Sequence, residues 1–264
     1  MPLIDHQPGP GRRFFLWCQQ TLLRPIADAL LAQSCALCQQ PSGSTPICPG
    51  CAQDLPFLPG TPGSHCPRCA LPLYGGSTSC PDCARHHPAF DRATAVWAYA
   101  FPIDTLIRDF KYGHHLYLGR FFAEQLAQTL LHDWNSTHRA KPDLIIPMPL
   151  HPNRLKTRGF NQAAEIARHL ARLLDIPCAY DALTRLQDTP AQAGLPREAR
   201  WQNLIGAFAC PPAMKARHVL LVDDVLTTGA SLSACADILR QSGITTVDAA
   251  VLARTPGPDL SSRL

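Results

Sequence analysis

Two neighbouring carboxylates, Asp223 and Asp224, follow four apolar residues (Val219-Leu220-Leu221-Val222) and precede Val225-Leu226-Thr227-Thr228-Gly229-Ala230-Ser231. An apolar run that ends in a Thr/Gly loop reads as a buried parallel strand. Leu232, Cys235, Ile238 and Leu239 then recur at helical spacing, so the loop opens onto a helix N-terminus. Amides and hydroxyls of such a loop, backed by the positive end of the helix dipole, form a site for a phosphate. Carboxylates at the strand's carboxyl edge are acceptors for vicinal hydroxyls or for a metal. One ligand that carries both a phosphate and vicinal hydroxyls is a ribose 5-phosphate. Like charges side by side are unfavourable unless a ligand or metal answers them, which ranks this reading above a plain strand, turn and capped helix.

The segment VLLVDDVLTTGAS (219–231) resembles the 5-phosphoribosyl 1-diphosphate (PRPP) motif of type I phosphoribosyltransferases. The resemblance implies that Asp223 and Asp224 contact the ribose hydroxyls and that Thr227, Thr228, Gly229, Ala230 and Ser231 wrap the 5-phosphate. Two positions depart from the family pattern. Thr227 stands where purine-salvage members carry an aspartate that acts as base toward the purine, which disfavours that substrate class. Ala230 replaces a second glycine, leaving Gly229 as the loop residue that easily takes a positive φ.

Three further segments bear on this site. PMPLHPNRLKTRGFNQ (147–162) sets Arg154, Lys156 and Arg158 beyond the carboxyl end of a strand, where ligands of open α/β sheets bind. Three cations there suit a diphosphate, and Pro147 and Pro149 restrict the backbone so that a tight turn can present its amides. Pro149, Arg154, Lys156 and Arg158 are therefore the diphosphate candidates, although charge alone fits a solvated basic loop equally well. Phe110-Lys111-Tyr112 is a basic–aromatic step that serves either a ligand or an ordinary helix end. QAGLPREARWQN (192–203) carries Arg197 and Arg200 on a loop suited to close over PRPP and exclude water from an oxocarbenium-like centre. No residue declares itself as a catalytic acid or base, and no segment reads as a pocket for the acceptor.

The cysteines make a second chemistry. Eight of the 12 fall within 49 residues as four Cys-x-x-Cys pairs: Cys35/Cys38, Cys48/Cys51, Cys66/Cys69 and Cys80/Cys83. Two intervening residues let a tight knuckle aim both thiolates at one zinc ion, and two knuckles complete a tetrahedron. So short a segment has too few apolar residues to fold by burial alone and needs metal staples. Two structural zinc ions follow. The gaps of nine, fourteen and ten residues between pairs favour sequential ribbons, 35–51 and 66–83, over a cross-braced pairing, which spacing leaves open. His65, His86 and His87 flank the knuckles and, with eight thiolates present, read as groups outside the ligand set. Cys18, Cys178, Cys210 and Cys235 are isolated, the last on an apolar helix face.

From about Ala89 onward, strand and helix patterns alternate as a parallel sheet requires. Strands are expected over 93–101, 144–150, 219–222 and 244–253. Helices are expected around Ile103–Phe110, Leu118–Leu130, Ile166–Leu174 and after the Thr/Gly loop, with a short helical segment near Arg197–Leu204. Asn135–Pro142 reads as a polar linker. The fold class is α/β: a phosphoribosyltransferase-like parallel sheet flanked by helices, behind a small double zinc ribbon. The expected organisation is an N-terminal helix in 1–34, the ribbon in 35–88 and the transferase-like domain in 89–264.

Composition agrees with this division. The 264 residues are 46% hydrophobic and 17% charged, as in a globular chain. The net charge of +4 allows an anionic substrate or nucleic acid and demands neither. No apolar run is long enough to span a bilayer, and Gln19-Gln20-Thr21 interrupts the FFLW stretch before a secretory core is complete. A cytoplasmic location is expected, where thiols stay reduced.

The knuckles, Phe110-Lys111-Tyr112, RGFNQ (158–162), DTPAQAGL (188–195) and the Asp223-Asp224 segment together resemble the ComF/GntX family, which joins a double zinc ribbon to a phosphoribosyltransferase domain. The resemblance implies PRPP binding with magnesium and, in some members, a part in DNA uptake for natural transformation. Two function classes remain. One is an enzyme that transfers a phosphoribosyl group from PRPP to an unidentified nucleophile. The other is a non-catalytic PRPP sensor or adaptor that contacts single-stranded DNA or a competence helicase. Trp97, Tyr99, Tyr112, Phe160 and Trp201 could stack bases for the second class, but they are scattered as core aromatics are. For either class, metal analysis of the purified protein is expected to find two zinc ions per chain; a zinc-free protein would overturn the reading of the knuckles.

Overall fold

The computed structural model describes residues 33–58, 64–73, 79–113, 115–188, 204, 206–212 and 214–257. The expected N-terminal helix, apart from Gln33 and Ser34, and the 192–203 loop with Arg197 and Arg200 lie outside the described residues. The chain forms two compact units, residues 1–54 and 55–264, so the division falls between the two cysteine quartets.

In the smaller unit, β1 (Gln33–Ser34) pairs antiparallel with β2 (Pro41–Gly43), and α1 (Pro49–Gln53) follows. Cys48 caps α1: its sulfur accepts from the Cys51 amide, and Pro49 fills the first helical turn, where a missing N–H costs nothing. The larger unit repeats the device, with Cys80 capping α2 (Pro81–His86) and Pro81 next to it. Gln39 and Ala70, each four residues beyond the first cysteine of its quartet, share a left-handed backbone. The two quartets are built on one plan.

The sheet begins with β3 (Arg92–Ala98), and α3 (Ile103–Tyr112) and α4 (Tyr117–Thr137) follow. Then come β4 (Leu144–Pro147), α5 (Pro152–Arg158), α6 (Gln162–Leu174), β5 (Thr184–Arg185), β6 (Phe208–Ala209), β7 (His218–Leu226), α7 (Ala230–Gln241) and β8 (Thr246–Arg254). The strand order is β3-β8-β7-β4, with every pairing parallel. Val219 to Val222 of β7 and Val247 to Arg254 of β8 are buried throughout, as strands covered on both faces must be. Ile103, Leu106, Ile107 and Phe110 put the apolar stripe of α3 wholly out of solvent. Phe122 of α4 meets Phe110 edge-on at 5.5 Å and Trp97 at 5.9 Å. Trp97 is thus core, not a stacking surface.

The structure departs from the sequence expectation in several places. Asn135–Thr137 belong to α4 rather than to a linker; the Thr137 hydroxyl bonds the Asp133 carbonyl one turn back. The basic stretch after β4 is helical over Pro152–Arg158, because His151 caps it and Pro152 suits a first turn. The antiparallel pair β5–β6 joins segments too short for periodicity to reveal. Leu173 is exposed, whereas Ile166, Leu170 and Leu174 are buried.

The amino edge of the sheet is closed by charge. Asp248, near the start of β8 and 5% exposed, accepts from Arg139 at 2.9 Å and meets His218 Nε2 at 3.0 Å. Removing one member of a buried pair leaves the other charge uncompensated. Asp248→Ala is therefore expected to destabilise the protein by about 3 kcal/mol, read from the urea midpoint. A change within about 0.5 kcal/mol would show that this network carries no stability.

Candidate functional site

At the opposite edge, the acidic pair lies near the carboxyl end of β7, which runs on through Val225 to Leu226. Asp223 Oδ1 accepts from the Asp224 amide at 2.8 Å, and Asp224 Oδ1 accepts from the Val225 amide at 2.8 Å. Lys111, near the end of α3, brings its Nζ to 2.5 Å from Asp224 Oδ2. Burial alone would lower the lysine's pKa, but the Asp224 carboxylate overrides this and raises it, so the ammonium persists. Asp223 is half-buried, and among the described residues no cation stands so close to it. Burial first, and the Asp224 charge second, raise its pKa to about 8. Its field reaches Arg185 of β5 and the buried Cys235 of α7, whose thiol is pushed well up, by burial first and then by Asp223.

The loop that follows has the geometry of an anion cradle. Gly229 is left-handed at φ 82°, a conformation glycine adopts freely, and α7 starts directly after it with no side-chain cap. Thr227 is exposed and Thr228 half-buried, with the Thr228 hydroxyl 3.4 Å from the Ala230 amide. Ser231 lies in the first turn of the 12-residue α7. Amides of such a turn point out of the helix and lack intrahelical partners. The Asp223–Asp224 pair, Thr227, Thr228, Gly229, Ala230 and Ser231 therefore form one contiguous edge.

The basic segment reaches the same edge through side-chain contacts. Arg158 donates to the Tyr112 hydroxyl at 3.2 Å, lies 5.0 Å over its ring, and bonds the side chain of Gln162. Since Lys111 holds Asp224, the Phe110-Lys111-Tyr112 step ties the acidic pair to Arg158. Asn161 caps α6 and donates Nδ2 to the Met148 carbonyl, fixing the turn that contains Pro149. Asp188, at the start of the DTPAQAGL run, accepts from Asn153 at 2.8 Å and stands 3.8 Å from Arg154. Lys156 is exposed on α5, away from these contacts. Sequence reasoning did not assign Lys111, Arg185 or Asp188 to the site.

The cysteines assemble as the spacing favours. Cys35, Cys38, Cys48 and Cys51 form one quartet and Cys66, Cys69, Cys80 and Cys83 the other, each with its sulfurs within 4.8 Å of one another. Zinc with Zn–S bonds near 2.3 Å holds sulfurs about 3.8 Å apart; Cys38–Cys48 at 3.7 Å and Cys69–Cys80 at 3.5 Å match that edge. Backbone amides donate to the sulfurs, Cys48 to Cys35 and Cys83 to Cys80. Burial would raise the Cys35 thiol, but amides of Cys38, Cys48 and Leu37 bring it down to about 6. Both quartets are zinc-binding sites, and His65, His86 and His87 belong to neither. The second quartet lies in the apolar core of the larger unit, among Leu71, Phe90 and Leu226.

Comparison with known proteins agrees with this geometry. The family described as "Phosphoribosyl transferase domain" matches residues 123–262, and "Double zinc ribbon domain" matches residues 26–84. Competence protein F of Haemophilus influenzae is 33% identical over 79% of this chain and 90% of its own length. DNA utilization protein YhgH of Escherichia coli O157:H7 is 32% identical over 84% of this chain and 96% of its own. Competence protein ComFC of Streptococcus pneumoniae is 23% identical over 68% of this chain and 76% of its own.

The raised pKa of Asp223 has a consequence for stability. Between the ordinary carboxylate range and about pH 8, the unfolded chain has lost this proton while the folded protein keeps it. Stability is therefore fully present at low pH and falls as pH rises through the folded value. Asp223→Asn is expected to remove that slope, so that its advantage over the parent is larger at pH 8.5 than at pH 5.5 by ~1.4 kcal/mol or more. Paired urea titrations of the zinc-loaded proteins at the two pH values check this; a gap that does not change with pH would refute it.

Proposed function

The chain belongs to the family of competence protein F and YhgH and carries a phosphoribosyl transferase domain, and on that premise we propose that it binds PRPP and transfers its phosphoribosyl group. The observation that carries this reading is a like-charged Asp pair near the end of β7, followed after four intervening residues by a left-handed glycine at which a helix starts without a side-chain cap. The pair accepts from the ribose 2- and 3-hydroxyls, and the 227–231 loop donates amides and hydroxyls to the 5-phosphate. Arg158, held by Tyr112, and Arg154, beside Asp188, meet the diphosphate above the 147–150 turn.

Magnesium fits this donor set. Two adjacent carboxylates, one of them held from ionising by burial and by the other's charge, would attract a cation, and magnesium bound there would supply charge neutralisation to the leaving diphosphate. The residues of the chain do the positioning. Lys111 holds Asp224 in place for a ribose hydroxyl. The cations at 154 and 158 favour departure of the diphosphate as the bond from ribose C1 to its oxygen breaks and the acceptor bonds to C1. Thr227 offers a hydroxyl rather than a carboxylate, so the acceptor must lose its proton elsewhere or carry none. The names of the relatives point to competence and DNA utilization as the setting. Eight reduced thiols for zinc suit the cytoplasm.

The acidic pair supplies the test. Hydrogen bonds to charged groups contribute about 1.5–3 kcal/mol each. The Asp223→Asn/Asp224→Asn protein should therefore bind PRPP with magnesium at least tenfold more weakly by calorimetry, while remaining folded. Equal affinity in variant and parent would reduce the motif to a strand, a turn and a helix. Diphosphate release from PRPP, screened against candidate nucleophiles, separates transferase from sensor.

A further inference from the structure

Arg254 closes β8 and is 3% exposed, yet among the described residues it has no carboxylate partner. Its guanidinium faces two ways. Nη1 donates to the Leu226 carbonyl at 3.0 Å, to the Thr227 carbonyl at 2.5 Å, and to Thr255. On the other side Nε donates to the Cys69 carbonyl at 2.9 Å, and Nη2 lies 4.0 Å from the Cys69 sulfur. One rigid, planar group therefore joins the second cysteine quartet to the first residue of the phosphate loop.

A buried guanidinium needs countercharge as well as carbonyl dipoles, since burying an unpaired ion costs several kcal/mol. Zinc bound by four thiolates is a net dianion, and Cys69 contributes one of those thiolates. If the metal leaves, Arg254 loses that countercharge while it still grips the Thr227 carbonyl. The first quartet sits in the other compact unit.

We propose that Arg254 is a positioning residue that couples zinc at Cys66, Cys69, Cys80 and Cys83 to the phosphate-binding loop. Zinc there holds the guanidinium, the guanidinium holds the Leu226 and Thr227 carbonyls, and those carbonyls fix the turn whose amides face the phosphate. The inference rests on the reading of 227–231 as a phosphate site and adds the metal on which that site depends. Coupling of this kind is reciprocal: bound phosphate tightens zinc at this quartet by the factor by which zinc tightens phosphate.

Ribose 5-phosphate is the probe, because it lacks the diphosphate that would itself bind zinc. Zinc affinity of the full chain is measured by competition with a chromophoric chelator, which resolves its two ions. Saturating ribose 5-phosphate is expected to raise the affinity of one zinc and not the other, by about fivefold or more. Arg254→Lys keeps a charge but cannot span both sides; it is expected to weaken the same zinc and ribose 5-phosphate by a comparable factor. If this variant does not fold, the measurement on the parent protein decides alone. Ribose 5-phosphate binding by the parent that leaves both zinc affinities unchanged overturns the coupling and leaves the phosphate site standing. A folded Arg254→Lys protein with unaltered zinc and ligand affinities overturns it too. No binding of ribose 5-phosphate by the parent overturns the phosphate-site reading and this inference with it.

Discussion

Two carboxylates at the end of a buried strand repel each other, and the larger unit is arranged around that repulsion. Lys111 answers Asp224 directly at 2.5 Å, while Asp223 keeps its proton up to about pH 8 for want of an equally close cation. The site at rest is thus half-neutralised: one carboxylate is paired, the other is poised to ionise when a cation or a row of hydroxyls arrives. A ligand that brings magnesium and vicinal hydroxyls supplies what the empty strand end lacks. The same requirement explains why α3 must end where it does. Its fully buried stripe from Ile103 to Phe110 places Lys111 on the strand edge rather than in solvent.

Arginines around the site differ in what holds them, and this sorts their roles. Arg158 is stacked on the exposed ring of Tyr112 and bonded to its hydroxyl, a placement that leaves the guanidinium at the surface to meet an incoming anion. Arg185, half-buried, feels both the repulsion of Arg154 and the attraction of Asp223; burial, the largest effect, lowers its pKa. Arg254 is enclosed and spends its donors on carbonyls. Three residues of one type thus lie in three environments, at the mouth, along the wall and beneath the floor of a single edge.

Much of this was legible in the chain. The unbroken apolar run of 219–222 specified a buried parallel strand, the Thr/Gly loop its exit, and the Cys-x-x-Cys spacing the knuckles, while only favouring the sequential pairing that the quartets show. What periodicity missed had physical reasons. A two-residue strand such as β5 has no period to detect. The helix at Pro152–Arg158 is polar all round, so its capping by His151 and Pro152, not an apolar stripe, marks it. Lys111 was visible as part of a basic–aromatic step, but its partner is set by the sheet order and not by any local pattern. Arg254 carried a signal that went unused. A charge that directly extends an apolar strand reading at 244–253 must be buried with a partner or end the strand, and here it does both.

The two zinc sites show how one local design serves two ends. Both use a left-handed turn after the first pair and a cysteine-capped, proline-started helix for the second. Their surroundings diverge. Cys38 is exposed and Cys48 and Cys51 half-buried in the first quartet, whereas all four cysteines of the second are buried. A metal in the first site substitutes for a core that a segment so short cannot build. In the second, the metal lies within a core that already exists, flanked by Phe90 and Leu226, and Phe90 also lines the space beside Gly229. Zinc there cannot be justified as a staple alone, since apolar side chains of similar volume would fill the position at no electrostatic cost. A net dianion in that place makes physical sense next to a cation that has no carboxylate partner among the described residues, and Arg254 is that cation.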